Sequence, residues 1–125
     1  MKVTWLGHSG FRIEIADQVL LIDPWMTGNP VFPAARRDEA IRGATHILVT
    51  HGHGDHTTDA VTLAKELGVP VAGIYDLMSH WEATHGISVI GFNKGGTLTL
   101  GDVRVTLVNA CHSSSIAGKD GPVYA

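Results

Sequence analysis

Apolar and polar positions alternate along the first 23 residues. Val3 and Trp5, then Phe11, Ile13 and Ile15 with Arg12 and Glu14 between them, follow the two-residue period of strands with one buried face. A short Ala16-Asp17-Gln18 turn precedes a third apolar run from Val19 to Asp23, so the pattern predicts an opening β-meander. From Pro24 to Gly43 the periodicity is interrupted by Gly28, Asn29, Pro30 and Pro33, and at most a short helix near Asp38 to Ile41 is expected. Loops of this length are as a rule functional or disordered. Trp25, Met26, Val31 and Phe32 are too apolar for a disordered linker, which leaves packing over the core edge or over a substrate cleft.

The period then changes. Ile47-Leu48-Val49 reads as a strand ending at Thr50, and Ala60, Val61, Ala64 and Leu67 share one face of a helix that Thr57 or Thr58 would cap. Gly68 ends that helix and Pro70 follows. A strand over Val69 to Ile74, a helix over Asp76 to His85 stopped by Gly86, and a strand over Ile87 to Phe92 complete a βαβαβ order. Asn93-Lys94-Gly95-Gly96 is a turn serving the backbone, since no phosphate-binding pattern surrounds the glycine pair. Thr97 to Leu100 and Val103 to Val108 form a hairpin around Gly101-Asp102. The result is an α/β layered architecture without repeats.

Composition narrows the class. The 125 residues, 44% hydrophobic and 17% charged, suit one domain with a real core. A net charge of −3 without a basic run disfavours nucleic acid and anionic lipid, and favours a small-molecule substrate. One cysteine forms no internal disulfide, the N-terminus has no signal-like apolar segment, and no run is long enough to span a bilayer, so the expected location is cytoplasmic.

His51-Gly52-His53-Gly54-Asp55-His56 places three imidazoles and a carboxylate in six residues directly after a strand. Histidines also fill cores and cap helices, but four such groups this close would crowd one another unless a cation stood between them. A purely structural zinc site would usually close with cysteines, and this chain has one. The donor set suits a first-row divalent ion. A second histidine source follows the strand Val103 to Val108, at His112 in the run Asn109-Ala110-Cys111-His112-Ser113-Ser114-Ser115.

With these motifs the sequence resembles the metallo-β-lactamase superfamily, whose signature is an HxHxDH loop followed later by a histidine after a strand. Trp5-Leu6-Gly7-His8-Ser9-Gly10-Phe11, the Asp23 to Pro30 loop, Asn93-Lys94-Gly95-Gly96-Thr97 and His112 to Ser115 are similar to its family of uncharacterised predicted metal-dependent hydrolases. The resemblance implies one metallo-β-lactamase-like domain over 1–125, within an αββα four-layer sandwich and mainly its N-terminal half. It implies that His51, His53 and His112 hold one metal and that Asp55 and His56 begin a second. The ions would be divalent, zinc first with manganese or iron as alternatives, one or two in number. The implied reaction is hydrolysis of an ester, amide, lactone or phosphodiester by metal-bound hydroxide, with Asp55 as ligand and proton acceptor. Superfamily members carry a second αβ half with two further ligands. No counterpart precedes the end at Gly121 to Ala125, so the chain is expected to be truncated, its second site short of ligands, and the fragment oligomeric or aggregation-prone. A non-catalytic metal-binding fragment and a di-iron redox protein of the same fold are the alternative readings.

Two more residues belong with the site. His8 follows the first strand and reads as a substrate-binding or metal-supporting group; Asp23, at a strand end, would either orient a ligand histidine or accept turn hydrogen bonds. His46, His80 and His85 are left outside it, Ser113 to Ser115 read as loop, and Cys111 reads as a packing residue.

Overall fold

The opening alternation folds into three antiparallel strands in the computed structural model, which describes residues 1–124: β1 (Lys2–Trp5), β2 (Phe11–Ile15) and β3 (Gln18–Ile22). Val3 faces Ile13 across the first pair, and Ile13 faces Leu20 across the second. A 3-10 turn at Ala34–Arg36 runs into α1 (Arg37–Ile41), close to the short helix expected there. Next come β4 (His46–Leu48), α2 (Gly54–Thr57), α3 (Ala60–Leu67), β5 (Val71–Ile74), α4 (Tyr75–His85) and β6 (Val89–Phe92). Strands β3 to β6 pair in parallel, so all six form one sheet in chain order. Parallel neighbours need crossovers, and here α3 and α4 supply two of them.

Both longer helices stop where glycine takes a left-handed conformation, Gly68 at φ +66° and Gly86 at φ +64°, each donating its N–H back into the last turn. The expected threonine cap of α3 is not formed. Thr57 Oγ1 donates to the His53 carbonyl and Thr58 Oγ1 to the Gly54 carbonyl, because both lie in or beside the extra turn α2, and Asp59 stands at the N-cap position.

Adjacent residues of the central strands point to opposite faces and build two cores. Leu21, Ile47, Val49 and Val71 pack beneath Leu63 of α3 and Leu77, Met78 and Trp81 of α4. Leu20, Leu48 and Ala72 face the other way, against Leu100 and Val103. Those two residues belong to the hairpin of β7 (Thr97–Leu100) and β8 (Val103–Thr106), a separate two-stranded sheet. This second face of the sheet is therefore covered in part by the chain's own hairpin. β8 ends two residues before Val108, because Leu107 turns its N–H to Gly96 and its carbonyl to Gly95. A further hairpin, β9 (Ser115–Gly118) and β10 (Gly121–Tyr124), begins at Ser115, inside the stretch read as loop. Of the long Pro24 to Gly43 segment, Met26 and Phe32 enter the first core, as packing over the core edge would have it, while Trp25 turns toward His8. Among the described residues no helix is long and apolar enough to cross a membrane.

Candidate metal centre

Two antiparallel steps leave β1 running in the same direction as β3, and β4 is parallel to both. The C-terminal ends of these three strands therefore share one edge of the sheet, where open α/β sheets gather their ligands. His8 follows β1, Asp23 follows β3, and Thr50 to His56 follow β4. The Asp23 N–H donates to the Leu48 carbonyl at 2.9 Å, which locks two of these ends side by side. His8 and Asp23 both adopt left-handed backbone, φ +50° and +44°, a conformation in which histidine and aspartate are over-represented.

The donor atoms fall into two groups, each with its atoms within 4.8 Å of one another: His51, His53 and His112, and His8, Asp55 and His56. His112 reaches its group from a surface loop beyond β8, and the rings of His51 and His112 are 4.8 Å apart. The Ser114 hydroxyl accepts the Gly52 N–H at 2.9 Å, stitching that loop to the histidine turn. His8 stands in the second group, its Nε2 2.9 Å from Asp55 Oδ2, so that in this structure the ring donates to that carboxylate and would give up this proton to an ion. Its ring rests edge-on to Trp25 at 5.3 Å.

Asp23 is buried, and its carboxylate is the hub beneath both groups. Oδ1 accepts the Thr50 N–H at 2.8 Å, while Oδ2 accepts the Thr50 hydroxyl at 2.6 Å and lies 2.8 Å from His56 Nδ1. A carboxylate only accepts, so His56 carries its proton on Nδ1 and leaves Nε2 bare toward Asp55. The Thr50 hydroxyl spends its one proton on Asp23, so at 2.9 Å it must accept from His51 Nδ1. His51 Nε2 is then bare as well, and it faces His53 Nδ1 at 3.1 Å. Ligand nitrogens around a tetrahedral zinc ion stand about 3.3 Å apart, from zinc–nitrogen bonds of about 2.0–2.1 Å. The residues therefore fit divalent metal: three imidazoles in one group, two imidazoles and a carboxylate in the other.

Electrostatics favours the same protonation states. Burial, then the neighbouring His56 and His53, pushes the His51 imidazole below its ordinary pKa and keeps it neutral. Partial burial pushes the Asp55 carboxyl up, but its own backbone N–H, His56 and His8 outweigh this and hold it below the ordinary aspartate value. A cleft of about 400 Å3 opens beside His51 and His112, lined also by Thr50, Lys94, Leu107 and Ser114. Another depression, between β1 and the segment before β4, contains none of the clustered residues, and its Arg12 and Arg36 are paired with Glu14 and Glu39.

His46, His80 and His85 lie outside both groups. Cys111, expected to pack, is instead exposed, because the chain leaves β8 early and crosses the surface before His112. Sequence reasoning missed Thr50, Asp59 and Ser114. The first could have been suspected from its place between strand and motif; the others act through contacts remote in sequence.

The family model described as "Beta-lactamase superfamily domain" matches residues 18–124. A protein named UPF0173 metal-dependent hydrolase from Dinoroseobacter shibae is 72% identical over all 125 residues, which cover 54% of its own length. The protein of the same name from Paracoccus denitrificans is 66% identical, with the same coverage. The chain thus spans about half the length of the curated relatives it matches. Among solved structures, Igni18, a metallo hydrolase from Ignicoccus hospitalis, is 30% identical with a TM-score of 0.79, covering 90% of this chain and 49% of that one. BJP-1, a subclass B3 metallo-beta-lactamase of Bradyrhizobium japonicum, shares the fold at 18% identity and a TM-score of 0.57, over 92% of this chain and 48% of its own.

Proposed function

The chain belongs to the beta-lactamase superfamily domain family, and from that premise we propose that it carries the metal-binding face of a metal-dependent hydrolase. The observation that carries the reading is the pair of three-donor groups, with the protons of His51 and His56 held on the nitrogens that face away from them. His51, His53 and His112 would hold one divalent ion; Asp55, His56 and His8 would hold a second. Zinc is the first choice for so histidine-rich a set, with manganese or iron as alternatives. Such ions, when bound, supply Lewis acidity toward a substrate oxygen and acidify water.

The chain's own residues do the rest. Asp23 fixes the tautomers of His56 directly and of His51 through Thr50, so neither ring has to reorganise. Asp55, kept ionised, would serve as a ligand and as the acceptor for a proton released by water. The cleft beside His51 and His112 would seat a small molecule, with apolar contact from Leu107 and polar contact from Thr50 and Ser114. The bond cleaved would be an ester, amide, lactone or phosphodiester. A single cysteine accords with a reducing compartment, and we assign the protein to the cytoplasm.

The test is elemental analysis of protein purified without added metal, followed by hydrolysis assays on a panel of those four bond types before and after chelation. About two equivalents of metal, with activity lost to chelator and restored by zinc, is the expected result. Activity that survives complete metal removal would sink the proposal.

A further inference from the structure

Asp59 is buried, three residues beyond the last donor of the histidine turn, and every polar contact of its carboxylate goes to one distant segment. Oδ2 accepts the N–H groups of Met26 at 2.6 Å and Thr27 at 2.8 Å, and Oδ1 accepts the Thr27 hydroxyl at 2.6 Å. The Asp59 N–H donates to the Pro24 carbonyl at 3.1 Å. Residues 24–27 are thus clamped immediately after Asp23. That position matters because Asp23 stands at φ +44°, and a strained backbone persists only where its surroundings over-determine it. The same segment carries Trp25, against which His8 rests.

We infer that Asp59 is a positioning residue for the His8–Asp55–His56 group, acting through residues 23–27 to hold the Asp23 carboxylate on His56 Nδ1 and the Trp25 ring against His8. The inference rests on the metal-binding reading given above. Thr50 before the turn and Asp59 after it both bond to the same segment, so the histidine turn is held at its two ends. His53 and His112 have no such link: His112 is reached through Ser114 and Gly52. In the first group it reaches His51 alone, through Asp23 and Thr50, so the clamp acts chiefly on the second group.

The experiment is a calorimetric zinc titration of the intact protein and of its Asp59→Ala and Thr27→Val variants, the second removing one hydroxyl from an exposed residue. The step belonging to the second group is identified as the one Asp55→Ala removes. That step is expected to weaken by about tenfold or more in both variants, with the other step, reached only through Thr50 and His51, weakened distinctly less. A second readout needs no metal: nitrogen–proton correlation spectra of the imidazoles, recorded well above the ordinary histidine pKa. The parent should hold His56 in its Nδ1–H form, and the variants should give a tautomer mixture. Equal weakening of both steps, or an unaltered His56 spectrum in variants that merely unfold sooner, would overturn the inference and leave Asp59 a fold-stabilising residue. Failure of the parent to bind zinc would count against the metal reading alone, and the His56 spectrum would then decide the role of Asp59.

Discussion

Asp23 accepts three hydrogen bonds in a buried position, and an amide in its place has one acceptor oxygen for them. Asp23→Asn should lower the unfolding free energy of the metal-free protein by about 1–3 kcal/mol, the usual loss for a buried polar group stripped of a partner. It should also weaken zinc binding by about tenfold to a hundredfold, as removing the partner of a ligand histidine does. Urea denaturation and zinc titration check the two effects separately, and a variant unchanged in both would refute the hub. His46 gives a pH prediction away from the ligands. Its ring is pushed below the ordinary value of 6.5 by burial, so its folded pKa lies below its unfolded one. The stability it supports is then fully present above about pH 6.5 and is lost as pH falls toward the folded value. His46→Leu should lose stability less steeply than the parent over that acid window, measured as urea midpoints at a series of pH values. At this scale the sequence spoke unevenly. His51, His53, Asp55 and His56 could be read because ligands six residues apart or fewer leave a local signature. Asp23 could be suspected of orienting a ligand histidine from its place at a strand end, but its partner His56, 33 residues away, left no local trace, and the bond between Asp59 and Thr27 left none at all.

The elements that were legible are those whose period and stop signals agree. Helices α3 and α4 end at the glycines that the pattern marked, and both glycines take left-handed backbone with nothing near an added Cβ. Gly86→Ala should therefore cost about 1–2 kcal/mol through backbone conformation alone, visible as a lower urea midpoint without change in slope. Gly52 differs. A Cβ there would lie 2.9 Å from Ile116 Cγ2 and 3.2 Å from the Ser115 carbonyl, so Gly52→Ala should push β9 off the histidine turn and carry His112 with it. The expected outcome is loss of zinc affinity at the group that contains His112, with the Asp55 group retained; stepwise titration would separate them. β9 itself escaped the sequence pattern because Ser115-Ile116-Ala117-Gly118 has neither alternation nor bulk. It is held instead by pairing with β10 and by contact with Gly52.

Across the whole molecule the six donors come from residues 8 to 112, so metal binding would fasten three parts of the chain that the sheet brings only to a common edge. The βαβαβ core was legible because parallel strands with helical crossovers impose long-range order through a local period. The partnership of His8 with Asp55 was not, because it depends on β1 and β4 ending on the same side. Binding to the folded state alone adds RT ln(1 + [L]/Kd), about 2.7 kcal/mol per site at a free zinc concentration of one hundred Kd. For a chain of this length that is a rise in melting temperature of roughly 10 °C per site. Zinc should therefore raise the melting temperature and a chelator should return it, as followed by circular dichroism. The gain should also be distributed by geometry. In hydrogen exchange, zinc should add most protection to amides of β9 and of Gly52, which meet through the Ser114 bond next to His112. His112→Ala should abolish that local protection while leaving the increment from the His8–Asp55–His56 group. Uniform protection throughout the sheet, or none near β9, would mean that His112 does not close the first group.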